Sequence, residues 1–289
     1  MRYEGVVYRP PSEARSLIIQ LTIGCAHNDC TFCTMYKDKQ FRVRKLSEIK
    51  EDFAEARRRY GNQRLRIFLA DGDALVMKTE ELLEIIRYAR ECFPKAERIS
   101  SYGTPGDVLR KSEEELRALR TAGLELVYMG AESGDPVVLE QINKGVTREE
   151  IIAAGQKLKR CGIGASVTLI SGLGGKERLE EHAIQSADLI SRMKPAYVGF
   201  LTLMLEEPAP ILQTIRSGEL TLLEPEDVLA EMRLFLQNVD SEGTVFRSNH
   251  ASNYIVLRGD LNRDIPSMLE YLDEVEEQRR YRPERYRAL

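Results

Sequence analysis

One unit recurs six times between residues 17 and 205: a short apolar run rich in β-branched residues, a turn carrying glycine or acid, and a segment of helical period. Leu17-Ile18-Ile19-Gln20-Leu21-Thr22-Ile23 opens the series and stops at Gly24. The later runs are Leu65 to Leu69, a short one around Ile99, Leu124 to Met129, Ile163 to Ile170, and Ala196 to Leu205. Between them apolar residues fall three and four apart, as in Leu46, Ile49, Phe53, Ala56 and Tyr60, or Leu82, Leu83, Ile86 and Ala89. Ser47 is expected to cap the first helix and Gly61 to stop it. Thr79 and Pro94 bound the second, and Ser112/Glu115 and Thr147/Glu150 form capping boxes. Asp135-Pro136 opens a short helix, and Gly123, Gly162 and Pro195 end others. Each helix returns the chain to begin the next strand in the same direction. Six units therefore predict a parallel β/α architecture, either a partial barrel or an open doubly wound sheet.

At 289 residues the chain suits one large core with an appendage. Residues 1–15, with Pro10-Pro11, read as an N-terminal arm, and 16–205 carry the repeat. The pattern changes over 206–289 to a helix from Pro225 to Val239, a polar strand-like run from Thr244 to Leu257, and a helix from Asp264 to Gln278. This α+β extension is expected to close the open side of the barrel or to cover the substrate site. The 43% hydrophobic and 30% charged content argues against disorder over the body. No charged leader precedes an apolar run and no 18-residue apolar segment occurs, so a cytoplasmic protein without membrane association is expected. A net charge of −4 argues against a nucleic-acid partner. The basic cluster Arg279 to Arg287 is read as a solvated or frayed tail.

In parallel β/α folds ligands gather at the C-terminal ends of the strands, and here those ends carry the unusual residues. Cys25, Cys30 and Cys33 follow the first strand, Asp71-Gly72-Asp73 the second, Glu132-Ser133-Gly134 the fourth, and Ser171-Gly172-Leu173-Gly174-Gly175 the fifth. Three thiolates within nine positions repel one another unless a cation lies between them, which points to a metal or iron–sulfur site. For zinc the local fourth ligand is His27, at a spacing that matches no common zinc pattern. A two-iron cluster needs a fourth cysteine, and Cys92 and Cys161 both fall on apolar helical stripes. Three ligands on a four-iron cluster leave one iron open to a substrate or cofactor.

With Phe32 before the last cysteine, this pattern resembles the radical S-adenosylmethionine (SAM) superfamily, and more narrowly its branch with the Elp3, MiaB and NifB-type core. The spacing there is Cys-x3-Cys-x2-Cys, whereas here Ala26 to Asp29 place four residues in the first gap, a variant Cys-x4-Cys-x2-Cys motif. The resemblance spans roughly 16–205 and implies a partial (β/α)6 TIM-like barrel within an α/β fold. It implies a [4Fe–4S] cluster on Cys25, Cys30 and Cys33, with S-adenosyl-L-methionine on the open iron. Reductive cleavage of SAM would then yield a 5′-deoxyadenosyl radical that takes hydrogen from a substrate.

By the same resemblance, the backbone of Asp71, Gly72 and Asp73 receives the methionine amino group, and Glu132 and Ser133 contact the methionine or ribose. Lys144 stands where relatives place an arginine for the carboxylate, supplying charge without a bidentate fork. Thr168 lies near the ribose, and the loop from Gly172 flanks the adenine. An electron donor such as flavodoxin or ferredoxin is expected. Tyr36, Lys37, Arg247, Asn249, His250 and Tyr254 are candidate substrate contacts, with His250 able to move a proton near neutral pH. The extension shows neither an auxiliary cysteine cluster nor an evident RNA-binding module, which favours a small-molecule substrate. The competing readings are an electron-transfer or sensing iron–sulfur protein, which needs a fourth cysteine, and a zinc-stabilised binding domain.

Overall fold

A computed structural model describes residues 1–288; Leu289, the last residue of the expected extension, lies outside them. Strands β1 (Leu17–Gln20), β2 (Thr22–Ile23) and β3 (Arg42–Val43) precede helix α1 (Leu46–Tyr60). Then come β4 (Arg66–Ala70), α2 (Thr79–Cys92), β5 (Arg98–Tyr102), α3 (Pro105–Arg110), α4 (Glu113–Ala122) and β6 (Leu124–Glu132). The chain continues through α5 (Pro136–Gln141), α6 (Arg148–Arg160), β7 (Gly164–Ser171), α7 (Leu179–Met193) and β8 (Tyr197–Thr202). It finishes with α8 (Ile211–Arg216), α9 (Pro225–Asn238), β9 (Val245–Arg247), β10 (Arg258–Asp260) and α10 (Ile265–Glu277). Eight strands form one mostly parallel sheet in the order β1-β4-β5-β6-β7-β8-β9-β10. The chain divides into two compact units, one of residues 1–28, 35–129 and 157–165, the other of 29–34, 130–156 and 166–288.

In the first unit, β1 pairs in parallel with β4, and β4 with β5. The first apolar run is not one strand. It breaks at Leu21, whose N–H reaches Ala70 O and whose carbonyl accepts from Arg44 N, and Thr22–Ile23 turns away to pair antiparallel with Arg42–Val43. Both halves are buried, so the hydrophobic pattern runs unbroken through the kink. Buried Arg44 anchors this hairpin by donating to Gln20 O and to Asp52, each at 2.8 Å. Ser47 is not a cap: Lys45 occupies that position without a side-chain bond, and Ser47 lies inside the first turn of α1. The Ser112/Glu115 box and the Gly61 and Gly123 stops are present. The arm is fastened by Glu13, fully buried, which accepts from Tyr128 Oη at 2.6 Å, from Ser100 Oγ at 3.0 Å and from Arg98.

In the second unit, β7, β8 and β9 run parallel, and β10 returns antiparallel to β9. The expected strand from Thr244 to Leu257 is thus two short strands with a loop between them, and β9 extends the parallel sheet. Helix α9 packs against α7 and α10, and Phe235 of α9 meets Phe200 and Phe246 at ring distances of 4.6 and 6.1 Å. Side chains of one strand parity therefore face the helices, and the opposite parity faces away.

The basic C-terminal cluster is docked, not frayed. Arg282 donates to the carbonyls of His250 and Ala251, and Arg287 donates to Ser252 O and Leu203 O while stacking 4.0 Å over the Tyr254 ring. Backbone carbonyls of a turn offer acceptors that a hydrophobicity pattern does not reveal, which is why composition alone reads the segment as solvated. Among the described residues no helix is long and apolar enough to cross a membrane.

Gly134 tests the packing of the loop after β6. A Cβ there would lie 2.5 Å from Ser186 Cα, against the backbone of α7, which cannot step aside. Gly134→Ala is expected to lower unfolding free energy by about 1–3 kcal/mol, the usual range for overpacking. Urea denaturation measures this, and a loss below about 0.5 kcal/mol would show that the loop is not wedged on α7.

Candidate active site

Asp71, at the end of β4, has a fully buried carboxylate that accepts from Lys39 Nζ at 2.7 Å, Gly24 N at 3.2 Å and Gln20 Nε2 at 3.3 Å. Burial pushes this carboxyl above its ordinary range, against the hydrogen bonds and charge of Lys39. Its other oxygen has no partner. The carboxylate grips the chain just before Cys25 and again after Cys33, at Lys39.

Gly72 follows directly. A Cβ at this position would fall 2.5 Å from Tyr36 Cε2 and 3.1 Å from Cys25 Cβ, so only glycine lets the loop run this close to Cys25. Tyr36 is buried edge-on against Tyr8 at 5.5 Å, and Lys37 is exposed with its amine on Asn28 O at 2.6 Å. The Asp73 carboxyl is pushed up to about 9 by burial and by its hydrogen bond with Asp107. Both carboxyls of Asp-Gly-Asp thus point into the protein, and the half-buried backbone at Gly72 is the open part.

Within the four-residue cysteine gap, Asn28 adopts φ +41° and donates from Nδ2 to Tyr36 O at 2.9 Å. Asparagine tolerates this left-handed region better than most residues. In the second unit, Asn143 donates to Asp29 Oδ2 at 2.7 Å, Thr31 N to Ile142 O at 3.0 Å, and Ile211 N to Thr31 O at 3.0 Å. His27, Phe32 and all three cysteines of the loop are half-buried, and none of the three forms a disulfide.

The structure extends β6 three residues beyond the expected Met129, so Glu132 closes the strand, with φ +67°, and is not part of the loop. It pairs with Lys144 Nζ at 3.0 Å. The pair folds over Gly130, where any Cβ would collide with the Glu132 carboxylate. Ser133 is fully buried; its hydroxyl bonds His182 Nδ1 at 2.8 Å and accepts from Asp135 N at 2.9 Å, so it is not free to meet a ligand. Thr168 is half-buried on β7, beside Gly199 of β8, which lies beside Arg247 of β9.

Gly172, at φ +88°, donates its N–H to Glu231 Oε2 at 3.2 Å, and the Ser171 hydroxyl also donates to that carboxyl. Burial pushes Glu231 up to about 8 and His182 down to about 4. Their 3.7 Å approach is therefore a contact of two neutral groups and not an ion pair at neutral pH.

Of the proposed substrate contacts, Asn249 and Arg247 are exposed. Two others are committed to structure. His250 bonds Ser252 Oγ through Nδ1 at 2.9 Å, and burial with the Arg282 charge lowers its pKa. Tyr254 donates to Glu284 at 2.7 Å beneath Arg287, and burial and Glu284 push its phenol up to about 12. The sequence reading missed Lys39, Asp107, His182 and Glu231. A histidine on the apolar stripe of α7, with Ala183, Ser186, Ala187 and Ile190, was the visible sign of a buried polar partner.

Among the described residues no group of three or more His, Cys, Asp or Glu side chains is gathered as around a metal ion. Three half-buried cysteines outside any disulfide, and a Cβ-free backbone beside Cys25, suit a thiolate-ligated cluster with room for a second ligand. Burial raises both remaining thiols, Cys92 on α2 and Cys161 after α6, which makes them poor thiolates and poor fourth ligands.

Residues 19–190 match the radical SAM superfamily, and the chain belongs to that superfamily, a class of enzymes that work with a [4Fe–4S] cluster and SAM. It is 25% identical over 169 residues to an uncharacterized methyltransferase of Pyrococcus horikoshii, a match covering 57% of this chain and 35% of that protein. The chain spans about a third of the length of the curated relatives it matches. Among solved structures it is similar to methylornithine synthase (PylB), with TM-score 0.54 and 17% identity over 90% of this chain and 81% of that one. It is also similar to the methyltransferase TsrM from Kitasatospora setae with tryptophan and a SAM analogue bound, with TM-score 0.57 and 20% identity over 71% of this chain and 39% of that one. These likenesses show the shared α/β fold, of the partial (β/α)6 TIM-like class that the repeat and the resemblance predict.

The raised Glu231 carboxyl carries a sign. Its stabilising contribution is complete below the unfolded value and is lost as pH rises toward about 8, whereas the lowered His182 contributes above pH 6.5 and loses stability as pH falls toward about 4. Within this pair only Glu231 changes between pH 6.5 and 8. Thermal unfolding of the apoprotein should show Glu231→Gln losing less stability than wild type across that window; parallel slopes would mean that Glu231 is ionised in the fold.

Proposed function

We propose that this chain is a radical SAM enzyme whose Cys25, Cys30 and Cys33 hold a [4Fe–4S] cluster that cleaves SAM reductively and acts on a small-molecule substrate. The observation that carries this reading is the triplet itself: three cysteines within nine positions of one loop, none of them in a disulfide, with half-buried Cys92 on α2 and buried Cys161 just after α6 set apart in sequence and their thiols raised by burial. An electron-transfer protein would need one of those two as a fourth ligand. Bound there, cluster and SAM supply a one-electron cleavage that yields a 5′-deoxyadenosyl radical.

The chain's own residues would bind and orient. The Gly72 backbone is open beside Cys25, Lys144 offers a cation already balanced by Glu132, and Thr168 offers a strand hydroxyl. Gly172 would flank the adenine from a loop held by Glu231, which leaves the burden of precision on buried groups and not on the ligand. Phe32 would pack beside the cluster. The extension over 206–289 would cover the substrate side, with Arg247 and Asn249 as its exposed polar groups. A flavodoxin- or ferredoxin-type protein would supply the electron. The curated relative named as a methyltransferase places group transfer among the reactions to be assayed.

Iron and sulfide analysis after anaerobic reconstitution tests the ligand set. Cys25→Ala, Cys30→Ala and Cys33→Ala are each expected to abolish the four-iron cluster, while Cys92→Ala and Cys161→Ala retain it; a full cluster in any of the first three would refute the assignment. Lys144→Met is expected to weaken SAM binding by roughly ten- to a hundredfold, the worth of one charge-assisted hydrogen bond. Equilibrium dialysis with labelled SAM measures it, and unchanged affinity would remove Lys144 from the pocket.

A further inference from the structure

A row of paired positions crosses the second unit from Thr168 on β7 to Gly199 on β8, Arg247 on β9 and Arg258 on β10. Partners in neighbouring strands put their side chains on the same face. Phe246, adjacent to Arg247, packs toward Phe200 and Phe235 of α9. Arg247 and its row therefore face away from the helices, and both arginines are exposed.

Directly opposite arginines are an unusual choice. Ser248 N donates to Leu257 O, and Leu261 N to Thr244 O, so hydrogen-bonded pairs fall at Thr244 and Ser248, and 247 with 258 is a non-hydrogen-bonded pair. Side chains come closest in such pairs, with Cα atoms about 4.5 Å apart, and like charges there repel. The repulsion has no internal remedy among the described residues, where neither arginine makes an ion pair. Arg247 donates only to Phe246 O, at 2.7 Å. Asp260, two residues from Arg258 and on the same face, is held by Arg263 at 2.5 Å. Guarding an exposed sheet edge accounts for Arg258, since β10 ends the sheet, but not for Arg247, which has strands on both sides.

Gly199 leaves the space between Thr168 and Arg247 unfilled, with no atom nearer than 4.0 Å to a Cβ built there. Two strand spacings, about 10 Å, separate Thr168 from Arg247.

We propose that Arg247 and Arg258 form an oxyanion-binding fork for the substrate, so that the substrate is a small molecule bearing a carboxylate or phosphate. Two planar guanidinium groups side by side present parallel N–H donors that match either anion, and the anion removes the repulsion between them. The site stands on the strand register; only the identity of its occupant as the substrate rests on the proposed radical SAM reading.

The test titrates the reconstituted full chain with inorganic pyrophosphate and, separately, with succinate, by calorimetry at fixed ionic strength. Saturable binding of at least one probe is expected, and the tighter one assigns phosphate or carboxylate. Arg247→Gln and Arg258→Gln should each weaken it at least tenfold, with Arg247→Lys in between because the charge stays and the fork is lost. Each Gln variant should also melt at higher temperature than wild type without anion, which reports relief of the like-charge contact and confirms folding. Arg233→Gln, on α9 and paired with Asp273 and Glu276, should bind as wild type. Absence of saturable binding, wild-type affinity in both Gln variants, or an equal loss in Arg233→Gln overturns the proposal. The same samples assayed for SAM cleavage separate the two claims: cleavage without anion binding sinks the fork alone, and anion binding without cleavage sinks the enzyme reading while the site stands.

Discussion

The buried carboxylate of Asp71 is the constraint on which the cysteine loop depends. A loop carrying three thiols has no hydrophobic reason to hold one shape, and its backbone must find hydrogen-bond partners elsewhere. Asp71 supplies them at both ends, taking Gly24 N before Cys25 and Lys39 Nζ after Cys33. Because Asp71 directly follows β4, the loop inherits its position from the parallel pairing of β1 with β4. Gly72 then adds a steric condition, since the backbone passes Cys25 and the Tyr36 ring at a distance that excludes a side chain. A motif of small residues in sequence thus becomes a clamp whose parts come from three separate segments.

The second unit solves a similar problem without charge. Its glycine loop after β7 hangs on Glu231, which burial keeps protonated at neutral pH, and Glu231 lies against a neutral His182 that in turn holds Ser133. Neutral partners avoid the desolvation penalty that a buried ion pair would carry. The Glu132–Lys144 pair and the exposed Arg247 and Arg258 are the charged groups that we propose read a ligand.

The repeat was legible because alternation between strand and helix periods survives in any single sequence, and because capping boxes such as Ser112/Glu115 state their own geometry. The kink at Leu21 was not, since both faces of that segment are buried and the pattern carries no break. Nor was the end of β6, where Gly130-Ala131-Glu132 looks like a turn but continues the ladder. In the site, residue types identified the loops, while the direction of each side chain was hidden. Ser133, His250 and Tyr254 look available in sequence and are tied up by His182, Ser252 and Arg287. The arginine pair was half visible: Arg247 stands out in a polar run, but its alignment with Arg258 exists only once the β9–β10 register is known.

The central claim is that this chain cleaves SAM by one-electron reduction from a cluster with three protein ligands. Its most direct measurement is 5′-deoxyadenosine released when the anaerobically reconstituted protein is reduced with dithionite in the presence of SAM. Formation of 5′-deoxyadenosine that depends on both reductant and cluster is the predicted result. None at all from a protein whose cluster is intact and reducible would contradict the account.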